Sequence, residues 1–219
     1  MGQCLVVTGH YGSGKTTVSL NLALEAAREG KSVTLVDMDI VNPYFRSGDS
    51  ADELKRLGIR VISPKMLGTT SDAPSLLPEV ASAFDTPSEL TVFDIGGDDV
   101  GATAIGRYSE RFMQTGYEML YVINAYRPMT DTPEKCAGIL REIESSCRLK
   151  AGGIVNNSNL GEQTTAQDIV SSMPFAQELS RQTGLPILAV NAAIDDAAVL
   201  REKIESLRLI KRLVRAPWE

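Results

Sequence analysis

Residues 5–24 read LVVTGHYGSGKTTVSLNLAL. A short apolar, β-branched run, Leu5-Val6-Val7-Thr8, leads into Gly9-His10-Tyr11-Gly12-Ser13-Gly14-Lys15-Thr16, and a helical pattern follows. The octet fits G-x-x-x-x-G-K-[ST] in the strand–loop–helix context that this motif requires. Gly9, Gly12 and Gly14 can adopt backbone angles closed to side chains. Their N–H groups can therefore turn inward and form a nest for phosphate oxygens. The helix that follows directs the positive end of its dipole at the same point. Lys15 is then placed to reach the β- and γ-phosphates, and the Thr16 hydroxyl to hold Mg2+.

Strand-like and helix-like runs alternate through the rest of the chain. Val18, Leu22 and Ala26 lie at helical spacing, and Gly30 is a natural stop. Residues 32–37 (SVTLVD), 59–62, 90–95 (LTVFDI), 119–124 (MLYVIN), 153–156 and 186–190 (PILAV) read as strands. Helices are expected over residues 51–57, 75–84, 102–115, 130–147, 162–183 with a break near Pro174, and 196–214. The alternation predicts an α/β fold: a doubly wound, mainly parallel sheet of about seven strands with helices on both faces. Nothing along residues 1–219 marks a second domain. Ligands of such sheets sit at the carboxyl ends of the strands.

Composition narrows the function. The chain has 43% apolar and 23% charged residues and a net charge of −6. An acidic balance argues against general nucleic-acid binding. Cys4, Cys136 and Cys147 are scattered and His10 is the sole histidine, so no zinc or iron–sulfur pattern forms. The cysteines read as reduced, Cys4 buried in the first strand, and the location as cytoplasmic. The apolar residues 4–8 run straight into the phosphate loop, unlike a signal peptide.

Two acidic strand ends belong with the phosphate loop: Asp37-Met38-Asp39 after the second strand, and Phe93-Asp94-Ile95-Gly96-Gly97 after a later one. Phosphoryl transfer needs a carboxylate to fix the magnesium shell and a group to orient the attacking water. Asp94 fits the first task and Asp39 the second, with Asp37 at the edge of the magnesium shell. Gly97 can let a backbone N–H approach the γ-phosphate.

The order GHYGSGKTT, VDMDIVN, FDIGGD, GGIVNNSN resembles the MinD/ParA/CobQ-type P-loop ATPases, which include the nitrogenase iron protein. The resemblance implies a parallel sheet, ATP and Mg2+ as ligands, and two subunits that close face to face around nucleotide. It assigns Lys15, Thr16 and Thr17 to phosphate and magnesium, Asp39 to switch I, and Asp94 and Gly97 to the start of switch II. Asn157, or its neighbour Asn156, would contact adenine. The guanine-reading N-K-x-D is absent from Asn156-Asn157-Ser158-Asn159, which favours ATP over GTP. One position departs. The family's K-G-G-x-G-K-T loop has a signature lysine where this chain has His10, and a glycine where it has Tyr11. The cysteine pair that bridges subunits in the metal-centre maturation members is also missing.

The leading expectation is a slow Mg-dependent ATPase acting as a nucleotide-controlled dimeric switch on a protein client. The rival is a small-molecule kinase or ATP-dependent ligase of the dethiobiotin or cobyrinate synthetase type, with residues 63–74 binding the substrate. A third is a nucleotide-binding regulatory module without turnover. Tyr44 and Phe45 are candidate client contacts. Across a subunit interface the signature lysine is expected to be replaced by Arg46 or Arg127, in preference to His10 as a weaker contact or to sites that never face each other, as in the small-molecule enzymes. Leu200, Ile204, Leu207, Ile210 and Val214 would form one face of a basic amphipathic last helix, read as packing on the sheet in preference to lying on anionic lipid.

Overall fold

The computed structural model describes residues 2–38, 49–62, 78–96, 99–194 and 197–213. Among them, eight strands form one sheet: β1 (Gln3–Thr8), β2 (Val33–Asp37), β3 (Arg60–Ile62), β4 (Leu90–Asp94), β5 (Glu118–Ile123), β6 (Gly153–Asn156), β7 (Ile187–Ala192) and β8 (Leu207–Leu209). Their order is β3-β2-β4-β1-β5-β6-β7-β8, and every pairing is parallel. Parallel strands require crossovers, and helices supply them.

Period-two alternation explains why both faces are covered. In β1, Cys4 and Val6 face one buried cluster while Leu5 and Val7 face another. The first cluster lies under α4 (Asp99–Gly106), α5 (Ser109–Thr115), α6 (Pro133–Cys147) and α8 (Met173–Thr183), with Phe93, Phe112 and Phe84 packed ring to ring. The second lies under α1 (Lys15–Arg28) and α2 (Asp49–Arg56). Leu90 and Val92 of β4, and Val33 and Leu35 of β2, belong to this second face. Continuing the alternation puts Asp94 and Asp37 on the α1 side. The two are register partners, each about 1% exposed.

Several expected boundaries shift. The 102–115 segment is two helices, α4 and α5. α3 covers Pro78–Asp85, and residues 75–77 of the expected helix lie outside the described residues. α6 begins at Pro133 because Thr132 is its N-cap, accepting from Lys135 N. The break in 162–183 falls at Ser172, between α7 (Ala166–Ser171) and α8, and Pro174 sits in the first turn of α8.

The largest correction is the last segment. In place of one helix over 196–214, α9 (Ala198–Lys203) ends where Ile204 turns extended, and β8 follows. β8 gains a ladder with β7, pairing Asn191 with Arg208. The Asn21 side chain then holds the Lys211 backbone on both sides, each contact 2.8 Å. The apolar residues at 200, 204 and 207 therefore do not share one helical face, and the amphipathic lipid-binding helix is not formed. Among the described residues no helix is long and apolar enough to cross a membrane. Cys4, Cys136 and Cys147 are free and buried, as expected for Cys4.

Candidate phosphate site

The site is built where β1 ends. Gly9 has φ +151°, and a Cβ there would meet the Val122 carbonyl oxygen at 2.2 Å, so only glycine fits between β1 and β5. Gly14, at φ +90°, caps α1 in the left-handed region, and a Cβ on it would lie 2.3 Å from Asn157 Nδ2. Between them the loop closes on itself. The His10 carbonyl accepts from Ser13 N (3.2 Å) and from Lys15 Nζ (3.3 Å). Lys15 is thus folded over its own loop, 7% exposed.

Two consecutive loop carbonyls are fastened by side chains from neighbouring strand ends. Arg127 Nε donates to Gly12 O at 3.0 Å, and Asn157 Nδ2 donates to Ser13 O at 2.8 Å. Behind Asn157, its Oδ1 accepts from Asn191 Nδ2 at 3.2 Å. The loops after β5 and β6 are tied together by Asn124, which donates to Asn159 O and accepts from Tyr126 N and Asn159 N. Ser158 adds a bond to Ala125 N. Holding the carbonyls outward leaves the loop's amide edge for an anion.

The acid side is equally defined. Thr16 Oγ1 donates to Asp94 Oδ2 at 2.8 Å, and Ser19 Oγ to Asp94 Oδ1 at 3.1 Å. Both donors lie on α1, three residues apart and hence on one face. The two hydroxyls give each oxygen of this buried carboxylate a hydrogen-bond donor. The oxygen-rich set of Thr16, Asp94 and Asp37 suits Mg2+, which takes one or two carboxylates and leaves other positions for water and phosphate. The buried Ser13 hydroxyl has no hydrogen-bond partner among the described residues, as a loop shaped around an absent anion would leave it.

His10 is half-buried, and its imidazole titrates below the usual value of 6.5 because of burial first and the Lys15 charge second. Near neutral pH it is therefore an uncharged ring. Its backbone carbonyl, rather than its side chain, does the holding seen here. Tyr11 and, beside Arg127, Met129 are each 64% exposed. Thr17 lies on α1, its carbonyl accepting from Asn21.

Asn156 and Asn157 do different things. Asn156, 1% exposed, donates from Nδ2 to Ser172 Oγ and accepts at Oδ1 from Ser158 N and Oγ. Asn157 reaches the phosphate loop. Asp39, Gly97 and Asp98 lie outside the described residues, as do Tyr44, Phe45, Arg46 and the 63–74 loop. Arg127, one of the residues expected to replace the signature lysine, lies against the phosphate loop of its own chain. Sequence reasoning missed Ser19, whose signal is its i+3 spacing from Thr16. It also missed Asn191, whose signal is an amide in the apolar run PILAVNAA.

A sequence model of the CobQ/CobB/MinD/ParA nucleotide-binding domain matches residues 5–214. The chain belongs to that family, a class of P-loop nucleoside-triphosphate-binding proteins. Among curated proteins no match in sequence is found. Solved structures with the same fold include the cell division protein FtsY of Thermotoga maritima, 24% identical over 88% of this chain and 62% of that one, with a TM-score of 0.59. Chloroplast FtsY of Physcomitrella patens is 16% identical over 90% and 59% of the two chains, TM-score 0.57. The signal recognition particle 54 kDa protein of Aeropyrum pernix, solved in complex with GDP, is 19% identical over 86% and 41%, TM-score 0.53. The chain spans about three fifths or less of the length of these structures, and the likeness fixes the fold alone.

Proposed function

We propose that this protein is a slow Mg2+-dependent ATPase that works as a nucleotide-controlled dimeric switch on a protein partner. The observation that carries the nucleotide and metal part is the 2.8 Å contact of Thr16 with Asp94, which joins the phosphate-loop hydroxyl to the acid at the end of β4. In this reading the loop amides and Lys15 hold the phosphates. Thr16 and Asp94, with Asp37 at the edge, would hold Mg2+, which would supply charge neutralisation for the phosphates. Asp39 orients water, and Gly97 registers the γ-phosphate. Asn157 is the candidate adenine contact through the second N–H of an amide that already holds Ser13 O and accepts from Asn191 Nδ2. Tyr11 and Met129, exposed beside the site, are the residue types enriched at protein interfaces, and they support a partner docking there.

The arginine contact with its own loop favours a second reading. A site that carries its own extra cation has less need of a facing subunit, as in a small-molecule kinase or ligase. Light scattering separates the two. With ADP and with ATP on an Asp39→Ala variant, a doubling of mass in ATP alone supports the switch. A monomer in both, together with phosphate transfer to a metabolite, supports the enzyme.

A further inference from the structure

The geometry points to Arg127 as a second phosphate-binding cation of the site, supplied by the same chain whose phosphate loop it fastens. This inference rests on the nucleotide-binding reading above. Arg127 Nε donates to Gly12 O at 3.0 Å, and its Nε, Cδ and Cζ lie 3.4, 3.6 and 3.9 Å from where a Gly12 Cβ would be. The guanidinium therefore lies against the rim of the loop, within van der Waals reach of Gly12. One N–H is spent on the carbonyl. The Nη groups still carry donors, and among the described residues no carboxylate forms an ion pair with Arg127.

A clamp alone would not need a charge. The adjoining carbonyl, Ser13 O, is held by a neutral amide, Asn157, at 2.8 Å. A guanidinium doing the same task leaves a full positive charge half-buried at the mouth of an anion site. Arginine keeps that charge at all working pH and binds phosphate through paired N–H donors. His10, the other candidate cation of the loop, is held neutral by burial and Lys15.

The loop that carries Arg127 is also preformed. Arg127 N donates to Asn124 O (3.3 Å), Thr130 N to Arg127 O (2.9 Å) and Thr130 Oγ1 to Asn124 O (3.2 Å). Asn124 and Thr130 are both buried. Little ordering is left for the moment of binding. Nε would stay on Gly12 O while the Nη edge meets the terminal phosphate.

The test compares Arg127→Ala, Arg127→Gln and Arg127→Lys with the parent chain, measuring Mg-ATP and Mg-ADP affinity by calorimetry and the urea midpoint without ligand. Loss of one charge-assisted phosphate contact is expected to weaken ATP binding by roughly 10- to 100-fold, and ADP binding less. Glutamine can restore the bond to Gly12 O and the urea midpoint, but not the ATP affinity. Lysine should recover part of the affinity as a point charge. Full ATP affinity in Arg127→Gln would overturn the cationic role and leave only a clamp. Addition of excess Lys15→Ala chain should not rescue ATP binding by Arg127→Ala, and rescue would show that the arginine acts across subunits. Lys15→Ala alone is the control for the parent reading. If it binds ATP normally the nucleotide assignment itself fails, whereas a normal Arg127→Ala beside a defective Lys15→Ala refutes this inference only.

Discussion

Replacing Asn157 separates two roles that one amide can play. Its Nδ2 holds Ser13 O at 2.8 Å and its Oδ1 takes Asn191 Nδ2 at 3.2 Å, with the residue only 4% exposed. Asn157→Ala strands a loop carbonyl and a buried amide N–H. Each unsatisfied group costs about 1–3 kcal/mol, so the ligand-free protein should lose about 2–6 kcal/mol of stability in urea titrations. The phosphate loop also loses an anchor. If about 1.4 kcal/mol is then needed to restore its shape, affinity falls about tenfold. That loss should appear with inorganic pyrophosphate, which has no base, as well as with ATP. Asn157→Asp should do no better, because a carboxylate cannot donate to Ser13 O. Calorimetry with both ligands decides the matter. If stability and pyrophosphate affinity are unchanged while ATP affinity drops, Asn157 acts on the base alone and the anchoring argument is wrong.

Lys15→Ala should abolish tight Mg-ATP binding, since no neighbour replaces a point charge among phosphates, and calorimetry reads this directly. Asp39→Ala should retain ATP but release phosphate about 10²-fold more slowly. Normal turnover would move the water-orienting role to Asp37 or Asp98. The depressed titration of His10 makes stability pH-dependent. The unfolded chain binds a proton near the ordinary value of 6.5 while the folded one resists it. Stability is therefore full above that value and falls below it. Urea midpoints taken at about pH 7.5 and about pH 5.5 should drop more in the parent chain than in His10→Gln, and equal drops would refute the assignment.

What was legible in the sequence depended on how far apart in the chain the partners stand. The phosphate loop is a local pattern, and its strand, turn and helix appear where the spacing puts them. Asp94 could be placed from its position after an apolar strand, and the register with Asp37 then follows from the parallel sheet. The fastening of Ser13 by Asn157 spans 144 residues, and that of Gly12 by Arg127 spans 115. No spacing rule reaches so far. The last segment misled for a different reason. Leu200, Ile204 and Leu207 satisfy a helical period, but Leu207 and Leu209 satisfy a strand period equally well. Tertiary partners, the open edge of β7 and the side chain of Asn21, decided between them.

The sheet order has a consequence for synthesis. β1 leaves the ribosome before the strands it pairs with, yet it sits in the middle, between β4 and β5. Its two ladders cannot close until residues 90–94 and 118–123 have emerged, and the Ser13 anchor waits longer still, for Asn157. Until then the apolar strand and its glycine loop are a nascent chain without neighbours, the kind of segment that engages chaperones. The phosphate loop therefore takes its fastened shape only after Arg127 and then Asn157 have followed it out of the ribosome, so the site is completed by residues made long after the motif itself.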